Sequence, residues 1–121
     1  MSMKNKDSFE RTLRRAARIS LITGKIKLGD WVNIQSILLK PVRTTTDGVE
    51  VNLVDELAED ILQSAVSANK ITIADGYQGD LIQVEAIDWD SLFTYIKELL
   101  PNLATFIKDL MDLFNKKSEE V

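Results

Sequence analysis

A chain of 121 residues is long enough to bury one core without a covalent staple, and 45% hydrophobic with 28% charged residues is the composition of an ordinary globular domain. It contains no cysteine and no histidine, which excludes disulfides, thiol nucleophiles, imidazole-based dyads and triads, and Cys/His metal sites. The net charge of −4 hides a division: residues 1–43 carry ten Lys and Arg against Asp7, Glu10 and Asp30, a balance of +7, whereas residues 44–121 carry five against sixteen, a balance of −11. Such asymmetry implies an anionic partner for the basic third, or attraction between the two parts within one chain or between neighbours. The polar N-terminus lacks the apolar core of a signal peptide, and no apolar run reaches the ~18 residues of a membrane helix. A soluble, cytoplasmic chain is expected, forming a single domain over 1–121 with short flexible tails at 1–6 and 116–121.

Asp7-Ser8-Phe9-Glu10 has capping-box spacing and predicts a helix starting near Ser8. Phe9, Leu13, Ala16, Ala17 and Leu21 form its apolar side, Arg11, Arg14, Arg15 and Arg18 the opposite one, and Gly24 supplies the positive φ that ends it. Asp30 is placed to cap a second helix running to about Leu39, with Trp31, Ile34, Ile37 and Leu38 inward. The β-branched Val32, Ile34 and Ile37 keep a strand reading open there, and Pro41 terminates either element.

Asp47-Gly48 between Val42–Thr46 and Val49–Leu53 predicts a hairpin. A two-residue loop pairs Thr46 with Val49, Thr44 with Val51 and Val42 with Leu53 on one face, leaving Arg43 opposite Asn52 on the other. A middle helix follows over 55–68, with Leu57, Ala58, Ile61, Leu62, Ala65 and Val66 inward. A second hairpin pairs Lys70–Ala74 with Leu81–Glu85, setting Ile73 against Ile82 and Ile71 against Val84. Asp90 then caps a long terminal helix. Its apolar residues stay in phase from Leu92 to Asn115 across Pro101, which predicts one helix, kinked convex toward water.

That terminal helix carries the main functional signal. At 100° per residue its apolar residues fill about 180° of arc, wider than the ~100° stripe that covers one face of a domain. The expected partner-binding face comprises Leu92, Phe93, Ile96, Leu99, Leu103, Phe106, Ile107, Leu110 and Phe114. The arginine stripe of Arg11, Arg14, Arg15 and Arg18 is the anion-binding candidate, although no aromatic residues are interleaved to stack bases.

Other constellations carry less. Asp55, Glu56, Glu59 and Asp60 share helix faces as divalent-cation ligands do, but acidic residues in a first turn already answer the helix macrodipole. Gly76-Tyr77-Gln78-Gly79 matches a G-x-x-G phosphate clamp in letters, yet that clamp joins two helices, whereas Asp75 and Asp80 bound a loop between predicted strands. Thr23-Gly24-Lys25 lacks the first glycine and the strand of a P-loop. Ser20, Ser64 and Ser67 lie near lysines without an oxyanion site to serve.

The resulting expectation is an α+β fold: two N-terminal helices, two antiparallel hairpins that can join into one four-stranded sheet, a middle helix and a long amphipathic C-terminal helix layered on the sheet. The expected function is that of a non-enzymatic structural or interaction protein, without cofactor or metal, that forms homo-oligomers or docks a protein partner through its last helix. The alternative is a small nucleic-acid-binding accessory protein using the basic first helix.

Overall fold

Four stretches with helical periodicity become helices: α1 (Ser2–Ile22), α2 (Leu28–Leu39), α3 (Leu53–Ser67) and α4 (Trp89–Glu119). The computed structural model describes the backbone of residues 2–45 and 47–119, and the side chains of these except 2–4, 110 and 113–119. A short antiparallel pair, β1 (Val42–Thr44) and β2 (Glu50–Asn52), lies between α2 and α3, and a 3-10 turn over Leu81–Gln83 precedes α4. The class is α+β, with the sheet limited to two strands among the described residues.

The core is built by helices. Phe9, Leu13, Ala16 and Ala17 of α1, Ile34 and Ile37 of α2, Leu53, Leu57, Ile61 and Leu62 of α3, and Leu92, Ile96, Leu100 and Ile107 of α4 are buried in one cluster. α4 packs chiefly on α1 and then on α2, so it is covered by helices and not by a sheet. It runs unbroken through Pro101, whose ring is exposed; the proline's missing donor therefore falls on the solvent side, where water can reach the freed carbonyl.

Both ends of the helices show how local chemistry sets boundaries. Gly24 (φ 75) and Asn69 (φ 60) end α1 and α3 in the left-handed conformation. In each case the amide one residue further on, Lys25 or Lys70, donates back to Ser20 O or Ala65 O at 2.8 Å, closing a Schellman motif. The helix starts differ from expectation. α1 begins at Ser2, which puts Asp7 inside the helix and leaves it no capping role. Asp30 sits at the third position of α2, where its carboxylate accepts from the Lys27 amide at 3.3 Å. α3 is capped by Asn52, whose side chain accepts from the Asp55 amide at 3.0 Å. α4 is capped by Asp88 and not Asp90: one Asp88 oxygen accepts from the Ser91 amide at 3.2 Å and the other from the Ser91 hydroxyl at 2.7 Å.

The first hairpin forms one residue out of the expected register. Arg43 pairs with Val51 and Thr44 with Glu50, because the Thr45 amide donates to Val49 O and the Gly48 amide to Thr45 O, with Gly48 at φ 84. This is the longer loop in which a left-handed glycine makes a bulge, and the one-residue slip turns one strand over relative to the other, setting Val42 against Asn52 and Arg43 against Val51. Val42 and Val49 are consequently exposed, and Leu53 enters α3.

The second hairpin does not form, and the four-stranded sheet with it. Ile71 and Ile82 are buried as a strand pair would bury them, but the backbone finds other partners. Glu59 of α3 accepts from the Leu81 amide at 2.9 Å and the Ile82 amide at 2.8 Å. The Asn5 side-chain amide of α1 donates to Ile82 O and Val84 O, both at 2.9 Å. With its donors and acceptors taken by two side chains, the segment is pinned to the helices and has little left for a ladder.

The Asp88 carboxyl is held below the ordinary aspartate value of 3.8, first by the hydrogen bond from the Ser91 hydroxyl and then by that from the Ser91 amide. A depressed folded-state pKa contributes stability above the ordinary value and loses it as pH falls through that range. Asp88→Ala should therefore lower the denaturant midpoint at neutral pH, and the difference from the parent should shrink toward nothing in acid below 3.8. Denaturation followed by circular dichroism at a series of pH values checks it.

Candidate interaction surfaces

The apolar arc of α4 is divided between two uses. Leu92, Ile96, Leu100, Ala104 and Ile107 form its centre and are consumed by contact with the protomer's own helices. Phe93, on one flank, is half-buried beneath two cations: the Arg15 guanidinium lies 4.6 Å from its ring centroid and the Lys97 ammonium 4.9 Å. Stacking of this kind ties α1 to α4 and covers that flank. Leu110 and Phe114 belong to the side chains outside the described residues.

The other flank is open. Leu99, Leu103 and Phe106 of α4 face Leu57, Ile61 and Ser64 of α3 across a groove of about 230 Å³, with Asp60 at its edge. Phe106 is 45% exposed. At the floor, the hydroxyls of Ser64 and Tyr95 share a hydrogen bond that fixes the two helices side by side. Asp60 is exposed at the α3 edge, and on α4 the exposed Asn102 and Asp109 stand within about 60° of Phe106 around the helix. Lys97 and Lys108 project about 100° or more away around α4, on the Phe93 side of the helix.

The basic stripe is largely solvated. Arg11, Arg15 and Arg18 are exposed and Arg14 is half-buried; Arg11 and Arg14 line a shallow depression together with Asp7 and Glu10, which dilute its charge. Among the described residues the one ion pair is Lys6–Asp55 at 3.1 Å. Among the described residues the attraction between the basic and acidic parts of the chain is thus met at a single surface contact, a type worth at most about 1 kcal/mol.

The acidic residues of α3 border a cavity of about 660 Å³, lined by Lys6, Asp55, Glu56, Glu59, Asp60 and Asp80 with Ile82 and Gln83. Its carboxylates have structural work: Asp55 holds Lys6, and Glu59 takes the two amides of the 3-10 turn. Among the described residues no group of three or more acidic side chains is arranged to hold a metal ion. The Gly76–Gly79 loop connects irregular segments and not two helices, and the Tyr77 hydroxyl folds over Gly79 to donate to Asp80 O at 2.8 Å, so the loop is closed on itself.

A surface absent from the sequence reading lies on α2. Leu28, Val32 and Leu39 are 65%, 51% and 78% exposed. With Gln35 they recur at i, i+4, i+7 and i+11, within about 60° of one another and opposite the buried Ile34 and Ile37. The second helix is apolar on two sides, and only one is covered. No helix among the described residues is long and apolar enough to cross a membrane. Comparisons with protein-family models, curated proteins and solved structures return no match, so these surfaces carry the functional reading by themselves.

Glu59→Ala removes the acceptor for two amides of a segment that has no ladder to fall back on. It should cost ~2 kcal/mol of unfolding free energy and speed hydrogen exchange at Leu81 and Ile82 specifically, whereas Asp60→Ala, at a carboxylate with no such bond, should leave both near the parent values. Denaturant titration and amide exchange measured by NMR distinguish the two.

Proposed function

We propose that this protein is a non-enzymatic interaction protein that self-associates, and that the groove between α3 and α4 receives a second copy of the chain. The observation that carries this reading is the combination of an apolar groove with a 45% exposed phenylalanine at its mouth, in a chain whose basic and acidic parts meet each other through one ion pair among the described residues. Apolar grooves between helices are receptors for apolar helix faces. A groove with acidic rims selects a basic visitor, and the chain itself supplies basic surface at +7 over residues 1–43.

The sequence-level face narrows accordingly. Leu92, Ile96 and Ile107 serve the protomer's core, and Leu99, Leu103 and Phe106 serve the partner. Burying a large aromatic side chain contributes roughly 1.5–3 kcal/mol, and replacing it by a carboxylate among acidic rims removes that and adds repulsion. Phe106→Glu should therefore leave the helical circular dichroism of the protein intact and abolish association at micromolar concentration in size exclusion with light scattering. A parent chain that is itself monomeric throughout that range, or a variant that associates like the parent, overturns the reading.

A second reading is favoured by one observation, the outward arginines of α1 that lack ion-pair partners among the described residues. On that reading Arg11, Arg14 and Arg18 contact nucleic-acid phosphates. Titration of a fluorescent oligonucleotide at two salt concentrations should then give binding that weakens steeply with salt, and the triple Ala variant should flatten that dependence.

A further inference from the structure

We infer that the segment of the second copy seated in the α3/α4 groove is the outer face of α2, so that copies join head to tail. This rests on the proposal that the groove mediates self-association, and goes beyond it by naming the opposing surface.

Three properties of α2 match it to the groove. Its outer stripe carries exposed aliphatic side chains at both ends, Leu28 and Val32 before the half-buried Gln35 and Leu39 after it, and spans about 16 Å at 1.5 Å per residue, longer than the ~10 Å from Leu99 to Phe106 that lines the α4 wall. It is the largest concentration of exposed aliphatic side chains among the described residues, Leu28 and Leu39 being 65% and 78% exposed, which soluble proteins leave uncovered chiefly where something docks. It is also bracketed by cations, Lys25 and Lys27 before the helix and Lys40 after it, all exposed, while its single acidic residue, Asp30, is engaged with the Lys27 amide on another side of the helix.

The groove presents the complement. Asp60 stands at its α3 edge and the exposed Asp109 lies about one turn beyond Phe106 on α4, and among the described residues no cation lines it. Seating α2 there sets lysines against carboxylates and Val32 against Phe106, without bringing like charges together. The two surfaces occupy different helices of one protomer, so each copy offers one of each, and the contact is heterologous.

A contact between two different surfaces makes a test that docking of either surface on its own copy cannot pass. Val32→Glu disables the outer face and Phe106→Glu the groove, each at an exposed position. Each variant alone should run as a monomer in size exclusion with light scattering, and an equimolar mixture should form a 1:1 dimer that stops there, since each molecule keeps one working surface. Raising the salt should weaken that dimer. Should Val32→Glu lose helical circular dichroism, Leu39→Glu at the other end of the stripe takes its place. If the outer-face variant associates as the parent does while Phe106→Glu is monomeric, the groove receives something other than α2 and the inference fails with the functional reading intact. If the mixture stays monomeric, the head-to-tail pairing fails; if Phe106→Glu associates as the parent does, or the parent is monomeric, both fail.

Discussion

The packing of one stripe of α4 against α1 and α2 is the constraint on which the remaining structure depends. Leu92, Ile96, Leu100, Ala104 and Ile107 recur at intervals of three or four residues and are all buried, so one edge of a 31-residue helix becomes the axis of the core. Each large side chain in such a position contributes roughly 1.5–3 kcal/mol gross. That sum offsets the bond lost at Pro101, about 3 kcal/mol in a helix interior, and explains why the helix continues where the residue alone would end it. Because α1 and α2 occupy this stripe, no sheet is needed to cover it, and β1–β2 is left as a short connector with Val42 facing water and Val51 half-buried against the core. The covering helices also decide what remains open: α1 closes the Phe93 flank with Arg15, while α3 approaches the other flank only closely enough to leave a groove.

What could be read from the residues follows the range of the interaction concerned. The middle helix and its inward residues, the Gly24 terminus and the passage of one helix through Pro101 are settled by neighbours three or four positions away, and the periodicity contains them. The hairpin at Asp47-Gly48 is visible as a hairpin, but its loop length is not. The alternation favours the two-residue loop, which pairs Val42 with Leu53 and Thr44 with Val51, but the bulge at Gly48 overrides it and sets Arg43 against Val51 and Val42 against Asn52. The failure of the second hairpin lies further off. Ile71, Ile73, Ile82 and Val84 alternate as strands do, yet Glu59 and Asn5 capture the backbone of that segment from 22 to 79 residues away, and nothing local announces it.

The interaction surfaces divide in the same manner. That the apolar arc of α4 is too wide for one neighbour is a property of its own sequence. Which parts of the arc are covered is a property of the assembled helices, and it removes Leu92, Ile96 and Ile107 from the accessible set while leaving Leu99, Leu103 and Phe106. The outer face of α2 had a signal that a completed helical wheel contains: Leu28, Val32 and Leu39 stand in phase with one another and out of phase with Ile34 and Ile37. An apolar helix in a polar chain has two faces to place, and a small domain has room for one.

The division of charge along the chain bears on how copies can meet. Were groove to dock on groove, acidic rims would face acidic rims, and were α2 to dock on α2, its bracketing lysines would face lysines. Either arrangement sets like charges together in the layer where water is being expelled, where repulsion is least screened. Head-to-tail docking brings the +7 part of one copy to the −11 part of the next and leaves the net charge of −4 per chain distributed over the assembly. In an assembly so joined the charges would govern encounter and orientation, the apolar residues of the groove and the α2 stripe would govern how long the contact lasts, and the asymmetry of the sequence would become the polarity of the assembly.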